Sequence, residues 1–338
     1  MTLSYGKIIH RILFLIGIVV LVFFIRSLDF HTIILAISQI KMSALVLVVI
    51  VSLGLTLLNI LFKAYRWKVL IASIAGTPIS IGFSFTAILA GVAAGSILPG
   101  RVEVARPLVL KTKYNVPLPQ SLSALMLERV LDLVALVLIM TLAIFVIPSS
   151  YFKGVTLIFS LAIILLGGTV LVALYPPFFR TVSHNLIRLL PISEQLKTKS
   201  KKVVDQVLLS FRVLRSRRAL LSIGALSLVG NTFEIVRYSF IFYVLGLHIP
   251  IALLAFTFVA SLLIGVVTAI PGGVGVTEFS ASSILGELAT ATSQGLIKSA
   301  ILLDRIISYY SIILAGSIIL VVQNQFKAVL KSENVKKS

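Results

Sequence analysis

The chain contains no cysteine, which excludes disulfide staples, thiolate nucleophiles and cysteine-ligated metal centres. Charge is scarce as well: Asp, Glu, Lys and Arg make up 12% of the 338 residues, and the acids number only 11. His10, His31, His184 and His248 are scattered without the short spacings that gather ligands around a metal. No G-x-S-x-G elbow offers a serine nucleophile. Gly273-Val274-Gly275 follows an apolar run instead of a strand, and no Lys-Ser/Thr completes a phosphate loop. Enzymatic chemistry therefore has little support, and neither a cofactor nor a metal is expected.

What the sequence has instead is apolar bulk. Hydrophobic residues reach 59% and the mean hydropathy is +1.12, far above what a soluble core could bury. The net charge of +19 comes from Lys and Arg placed between apolar runs. That distribution belongs to cytoplasmic loops and points to anionic lipid, not nucleic acid, as the partner. The first run, Ile12 to Ile25 lengthened by Ile8 and Ile9, meets Arg26 with no A-x-A-like site, so an uncleaved signal anchor is expected.

Apolar runs lie at about 8–28, 42–62, 79–98, 121–147, 154–175, 219–246, 251–270 and 299–322, each near the ~20 residues a bilayer requires. If all eight cross, the 176–218 segment falls outside with ten Lys/Arg against Glu194 and Asp205, which opposes the positive-inside rule. If the 79–98 and 251–270 runs turn back at their Pro-Gly tips, every basic loop falls on one side. The preferred architecture is thus an all-α polytopic membrane helix bundle with an inverted repeat, six full spans plus two re-entrant hairpins; eight hydrophobic helices is the alternative. A 20-residue run rises ~30 Å, so the hairpin reading asks for steep tilt or a break at Gly91 or Gly95. One membrane domain is expected over 1–322, with repeat one at about 8–147, repeat two at about 154–322, a basic cytoplasmic linker at 176–218 and a basic tail at 323–338. Both termini are expected in the cytoplasm.

One cassette is written twice. Pro99-Gly100-Arg101-Val102-Glu103 is repeated 172 positions later by Pro271-Gly272-Gly273-Val274-Gly275. An acid-arginine pair follows each, Glu128-Arg129 and Asp304-Arg305, and Asn59 and Asn231 precede them, also 172 apart. Interrupted apolar segments in matching halves point to a transport site. Their free backbone groups survive only beside protein or a wet cavity. Helices starting at Arg101 and Val276 would aim their N-termini at the membrane middle, a natural anion site. The alternative is that each Pro-Gly merely ends a span.

The predicted site comprises Pro99, Gly100, Arg101, Glu103, Arg106, Glu128, Arg129, Asp132, Pro271, Gly272, Gly273, Glu278, Asp304 and Arg305. Glu128 and Asp132 share a helix face and require a cation between them, for which Arg101 or Arg106 is the expected choice. Ser308 stands where the second half would have its second acid. Internal Arg-carboxylate bridges that only fix helix packing are the competing account. Glu234 and Arg237, spaced i,i+3, are expected to pair with each other in a structural role. Lys63, Arg66 and Trp67 are expected to anchor a span at the interface. In the linker, Phe178/Phe179, Leu186/Ile187 and Leu189/Leu190 alternate with basic residues, which suits helices on an anionic surface or a plain topology anchor.

Taken in order, Pro99-Gly100-Arg101-Val102-Glu103-Val104-Ala105-Arg106, Glu128-Arg129 and Pro271-Gly272-Gly273-Val274-Gly275-Val276-Thr277-Glu278 resemble the flippase-like family that includes the transmembrane region of lysylphosphatidylglycerol synthase/flippase. The likeness runs from about Asn59 to Gly316. It implies a translocator of anionic phospholipid or polyprenyl-phosphate-linked lipid in the cell membrane. The first tip reads Gly-Arg-Val-Glu and lacks a glycine of the family pattern. Only Gln323 to Ser338 follow the last run, so aminoacyl transfer by this chain itself is not expected. Two alternatives stand beside translocation: a membrane subunit, with a partner lipid-modifying enzyme, of an aminoacyl or glycosyl transfer system, and a small-anion transporter. The oligomeric state is left open.

Overall fold

The computed structural model describes residues 42–96, 103, 105–147, 175–189, 193–210, 217–268, 270–289 and 293–322, with isolated positions near 15–26 and at 160 and 163. The expected runs at 8–28 and 154–175, the first tip Pro99-Gly100-Arg101 and the 323–338 tail therefore lie outside the described residues, as do His10 and His31. Regular structure among the described residues is helical. The helices are α1 (Met42–Ala75), α2 (Ile81–Gly95), α3 (Ala105–Tyr114), α4 (Leu118–Val146), α5 (Pro176–Leu189), α6 (Glu194–Ser210), α7 (Arg217–Val244), α8 (Ile251–Val267), α9 (Val276–Leu288), α10 (Gln294–Arg305) and α11 (Ser311–Val322).

By length and composition, Leu45–Ala75, Leu118–Val146 and the continuous Gln294–Val322 are apolar enough to cross a membrane. Their outward faces are apolar: Phe145 is 83% exposed and Leu314 65%. Such surfaces suit lipid and not water.

Helix α1 corrects the first of the expectations. It continues past Phe62, where the apolar run ends, to close at Ala75. Its end is set by Gly76, whose φ of +64° lets its amide cap the Ala72 carbonyl at 3.1 Å. Arg66 and Trp67 are consequently helix-interior residues, 1% and 0% exposed, and not interfacial anchors. A membrane-water boundary would leave them wet; here Arg66 lies against Glu128 and Asp132 of α4 and Ser227 of α7, and Trp67 lies under Arg106 of α3.

Helices α2 and α8 have 15 and 17 residues, ~22 and ~26 Å at 1.5 Å per residue. Both fall short of a ~30 Å hydrocarbon core. Ser80 starts α2 by accepting the Phe83 amide at 3.2 Å. The helix is unbroken at Gly91 and ends at Gly95, the second of the two positions named for a break. The helix expected from Arg101 begins instead at Ala105, with Pro107 in the first turn, where its missing N–H is harmless.

Packing between the halves is reciprocal. Helix α1 packs along α7, α2 lies against α11, and α8 lies against α4. Each short helix thus rests on the last long helix of the other half. The contact between α2 and α11 is close because Gly316 faces the Leu89 backbone, leaving no room for a Cβ; small residues permit such approaches between membrane helices.

Candidate functional site

The second tip, from Ile270 onward, lies within the described residues. Pro271–Gly273 forms one 3-10 turn. Gly272 adopts φ +64°, and the Tyr309 ring occupies the space a side chain there would need. The backbone therefore favours glycine, and a side chain there would have to displace the Tyr309 hydroxyl. Helix α9 starts directly afterwards. Glu278 in its first turn is fully buried, and the Thr277 hydroxyl lies 2.9 Å from Glu278 Oε2 and 2.8 Å from the Gly273 carbonyl.

Four residues form a circuit in each half. In the first, Arg66 of α1 meets Glu128 at 2.9 Å, while Arg129, the next residue of α4, pairs with Glu103 beside the first tip. In the second, Arg237 of α7 meets Asp304 at 2.8 Å, and Arg305, next on α10, reaches Glu278 at 3.4 Å. Consecutive helix residues project about 100° apart. The acid therefore turns toward the long helix, and the arginine toward the tip. The sequence-level acid-arginine pairs are therefore not ion pairs with each other; each member binds elsewhere.

The halves differ in what is added. Arg106, ringed by Glu103 and by Glu128 at 2.8 Å, stands 5.3 Å over the Trp67 ring. Asp132 supplies Arg66 with a second carboxylate at 2.5 Å. The cation between Glu128 and Asp132 is thus Arg66; Arg106, the other described candidate, lies on the far side of Glu128, and Arg101 lies outside the described residues. In the second half, among the described residues, no second arginine reaches Asp304 and no second acid reaches Arg237. There, the Ser308 hydroxyl donates to Asp304 at 3.4 Å and Tyr310 to Glu278 at 3.5 Å. Immediately after Arg305 the helix widens into a π turn, Ile306–Tyr310, a distortion frequent at functional sites.

The circuits touch at the α1–α7 crossing. Lys63 donates to Glu234 at 2.7 Å across 171 positions, which corrects the expected Glu234–Arg237 pair. Arg66 donates to Ser227 at 2.5 Å, and Arg237 lies 3.5 Å from Thr56. The intervals 237 − 66 and 227 − 56 are both 171, so each arginine reaches a hydroxyl at the equivalent place on the other helix. Asn59 donates to the Gly230 carbonyl at 2.6 Å, whereas Asn231 donates to Ser227 and Asp132. The two asparagines are therefore one residue out of register and serve different partners.

Six acids (Glu103, Glu128, Asp132, Glu234, Glu278, Asp304) face six cations (Lys63, Arg66, Arg106, Arg129, Arg237, Arg305). More than half of the 11 acids in the chain are committed here. Most members are nearly inaccessible; Lys63 and Glu234 are partly exposed, and Arg129, with its side chain 47% exposed, is the most accessible. Sequence reasoning missed Lys63, Arg66, Glu234 and Arg237 as members. The signal available was their common interval of 171, since 234 − 63 equals 237 − 66.

Fold and site together define an all-helical membrane protein built around a buried, balanced network of ion pairs. The family described as lysylphosphatidylglycerol synthase TM region matches residues 9–316, and the chain belongs to it. Among curated relatives, a UPF0104 membrane protein of Methanothermobacter thermautotrophicus is 26% identical over 76% of this chain and 77% of its own length. One of Pyrococcus horikoshii is 24% identical over 79% and 84%, and one of Methanocaldococcus jannaschii 27% over 66% and 91%.

Proposed function

We propose that the chain translocates an anionic phospholipid or polyprenyl-phosphate-linked lipid, receiving the headgroup at the charge network near mid-membrane. The observation that carries this reading is the duplicated circuit from long helix to tip. Each ionised group within a span costs ~2.5–3.5 kcal/mol to insert, so a network of twelve gathered where long helices meet the tip helices favours a functional site over helix packing alone. In this reading α2–α3 and α8–α9 are re-entrant hairpins from opposite faces, accompanied by six spans. Support comes from the short α2 and α8 and from the reciprocal contacts at an interval of 171. The basic linker and both termini lie in the cytoplasm.

The network is balanced, so an arriving phosphate must take a guanidinium from its carboxylate. Arg129 is the accessible one. The phosphate displaces Glu103, which keeps Arg106, and a proton taken up with the lipid offsets the added negative charge, since a net charge in a low-dielectric site is costly. Arg305 and Glu278 repeat the exchange in the other half. The test is transfer of fluorescent phosphatidylglycerol between leaflets of proteoliposomes, read by dithionite quenching. Arg129→Ala is expected to abolish transfer and Arg129→Lys to retain part of it. Unchanged transfer in Arg129→Ala refutes the assignment.

The family's description names a synthase, which favours as second reading a membrane subunit that presents lipid to a modifying enzyme. Lipid product formed only when such an enzyme is added, without transfer by the chain alone, would select it.

A further inference from the structure

The linker hairpin carries a second lipid-facing feature, independent of the charge network. At 100° per residue, Phe178, Val182, Leu186 and Leu189 of α5 fall on one side with Phe179 at its edge, and Arg180, His184 and Arg188 fall on the other. In a water-soluble fold the apolar side would be covered. Here Leu189 is 80% exposed, Leu186 59% and Phe178 56%. It is the polar side that meets protein: Arg180 donates to both carboxylate oxygens of Asp205 on α6, at 2.8 and 3.1 Å, and His184 Nε2 lies 3.1 Å from Asp205.

Helix α6 fixes this hairpin to the bundle. It packs on α4, and Val203 joins the apolar cluster that holds Val109, Leu110 and Val116. Lys111 and Lys113 are on the same short helix as Val109 and Leu110. The hairpin is therefore docked beside a basic end of the bundle with its apolar side turned outward. Its own charge over 176–210 is +4: Arg180, Arg188, Lys197, Lys199, Lys201 and Lys202 against Glu194 and Asp205.

We propose that α5 lies in the plane of the membrane surface, its apolar side among acyl chains and the hairpin's cations against anionic headgroups. The charge selects an anionic bilayer over a protein partner, and the fixed end holds the helix at the bilayer edge. Asp205 determines the rotation of α5, because it ties Arg180 and His184 to α6 and so presents the apolar side to lipid.

The absence of cysteine makes a clean test available. Single spin labels at Phe178→Cys, Leu186→Cys and Leu189→Cys, with Pro177→Cys and Arg188→Cys as the opposite side, are placed in nanodiscs of phosphatidylcholine with or without phosphatidylglycerol. The expected result is that labels on the apolar side collide with oxygen and avoid a water-soluble nickel chelate, with the reverse for the other two. Phosphatidylglycerol should deepen the contrast, and Lys201→Gln with Lys202→Gln should remove that effect. Two results overturn the proposal: apolar-side labels open to the nickel chelate in both discs, which means a hairpin free in water, or labels shielded from both reagents, which means cover by protein. Transfer activity is not read, so the outcome stands apart from that of the transport assay.

Discussion

The two circuits carry the same four-residue frame but protect it differently. Arg66 has two carboxylates, Glu128 and Asp132, and Glu128 has two arginines, Arg66 and Arg106. Among the described residues Arg237 has a direct ion pair with Asp304 alone, helped by Thr56. Likewise, Glu278 has Arg305 and two hydroxyls. The first half therefore holds a braced cluster, and the second a single chain whose links are replaceable only by hydroxyls. Removing one partner of a buried pair leaves an uncompensated charge in low dielectric, so the unbraced half should be the more sensitive one.

The largest effect should come from Asp304→Asn, which strands Arg237 at 3% side-chain exposure. A loss of ~3–5 kcal/mol is expected, measured as a fall in the thermal unfolding temperature of the purified protein in detergent. Asp132→Asn in the braced half leaves Arg66 with Glu128, and a loss of roughly half that size is expected from the same source. Equal losses in the two variants would remove the distinction between the halves.

A smaller effect tests the reciprocity itself. Lys63 and Glu234 pair across equivalent positions and are 25% and 18% exposed. Lys63→Glu or Glu234→Lys alone should lower the unfolding temperature. The double exchange should restore it to within about 1 kcal/mol, the range of a partly exposed pair. Failure of the double variant to recover would mean that the surroundings of the two positions are not interchangeable.

The smallest effect lies outside the bundle. The hydrogen bonds from Arg180, with Arg180 and His184 as facing charges, hold the Asp205 carboxyl below the usual carboxylate range. A depressed folded value means that the clamp stabilises above the ordinary carboxyl pKa of about 4. Its contribution is lost as pH falls through the lowered value. Hydrogen exchange over 176–210 should accelerate in acid while α1 and α7 stay protected. Asp205→Asn should show the acid behaviour at neutral pH.

How much of this was legible varied from residue to residue. The second tip, Glu278, Glu128, Arg129, Asp304 and Arg305 could be picked out because Pro-Gly and ionised groups are conspicuous in an apolar run. Asn59 and Asn231 drew attention through the interval of 172, yet the contacts keep 171. A one-residue difference is small in sequence spacing but decides which groups face across two helices. Arg66 and Trp67 were placed at an interface because a basic residue after an apolar run usually ends a span. Their burial depends on α4 and α7, which the local sequence does not include.

The sequence by itself determined an all-helical chain of apolar segments, the interruption at the second tip and eight of the twelve charges in the network, because periodicity, glycine-proline chemistry and the cost of ionised groups in hydrocarbon act locally. Only the tertiary structure decided which acid meets which base. Ion-pair energy depends on a few ångströms of distance and on what else excludes water, and residues 62 to 67 positions apart, such as Arg66 with Glu128 and Arg237 with Asp304, meet only after the helices have packed.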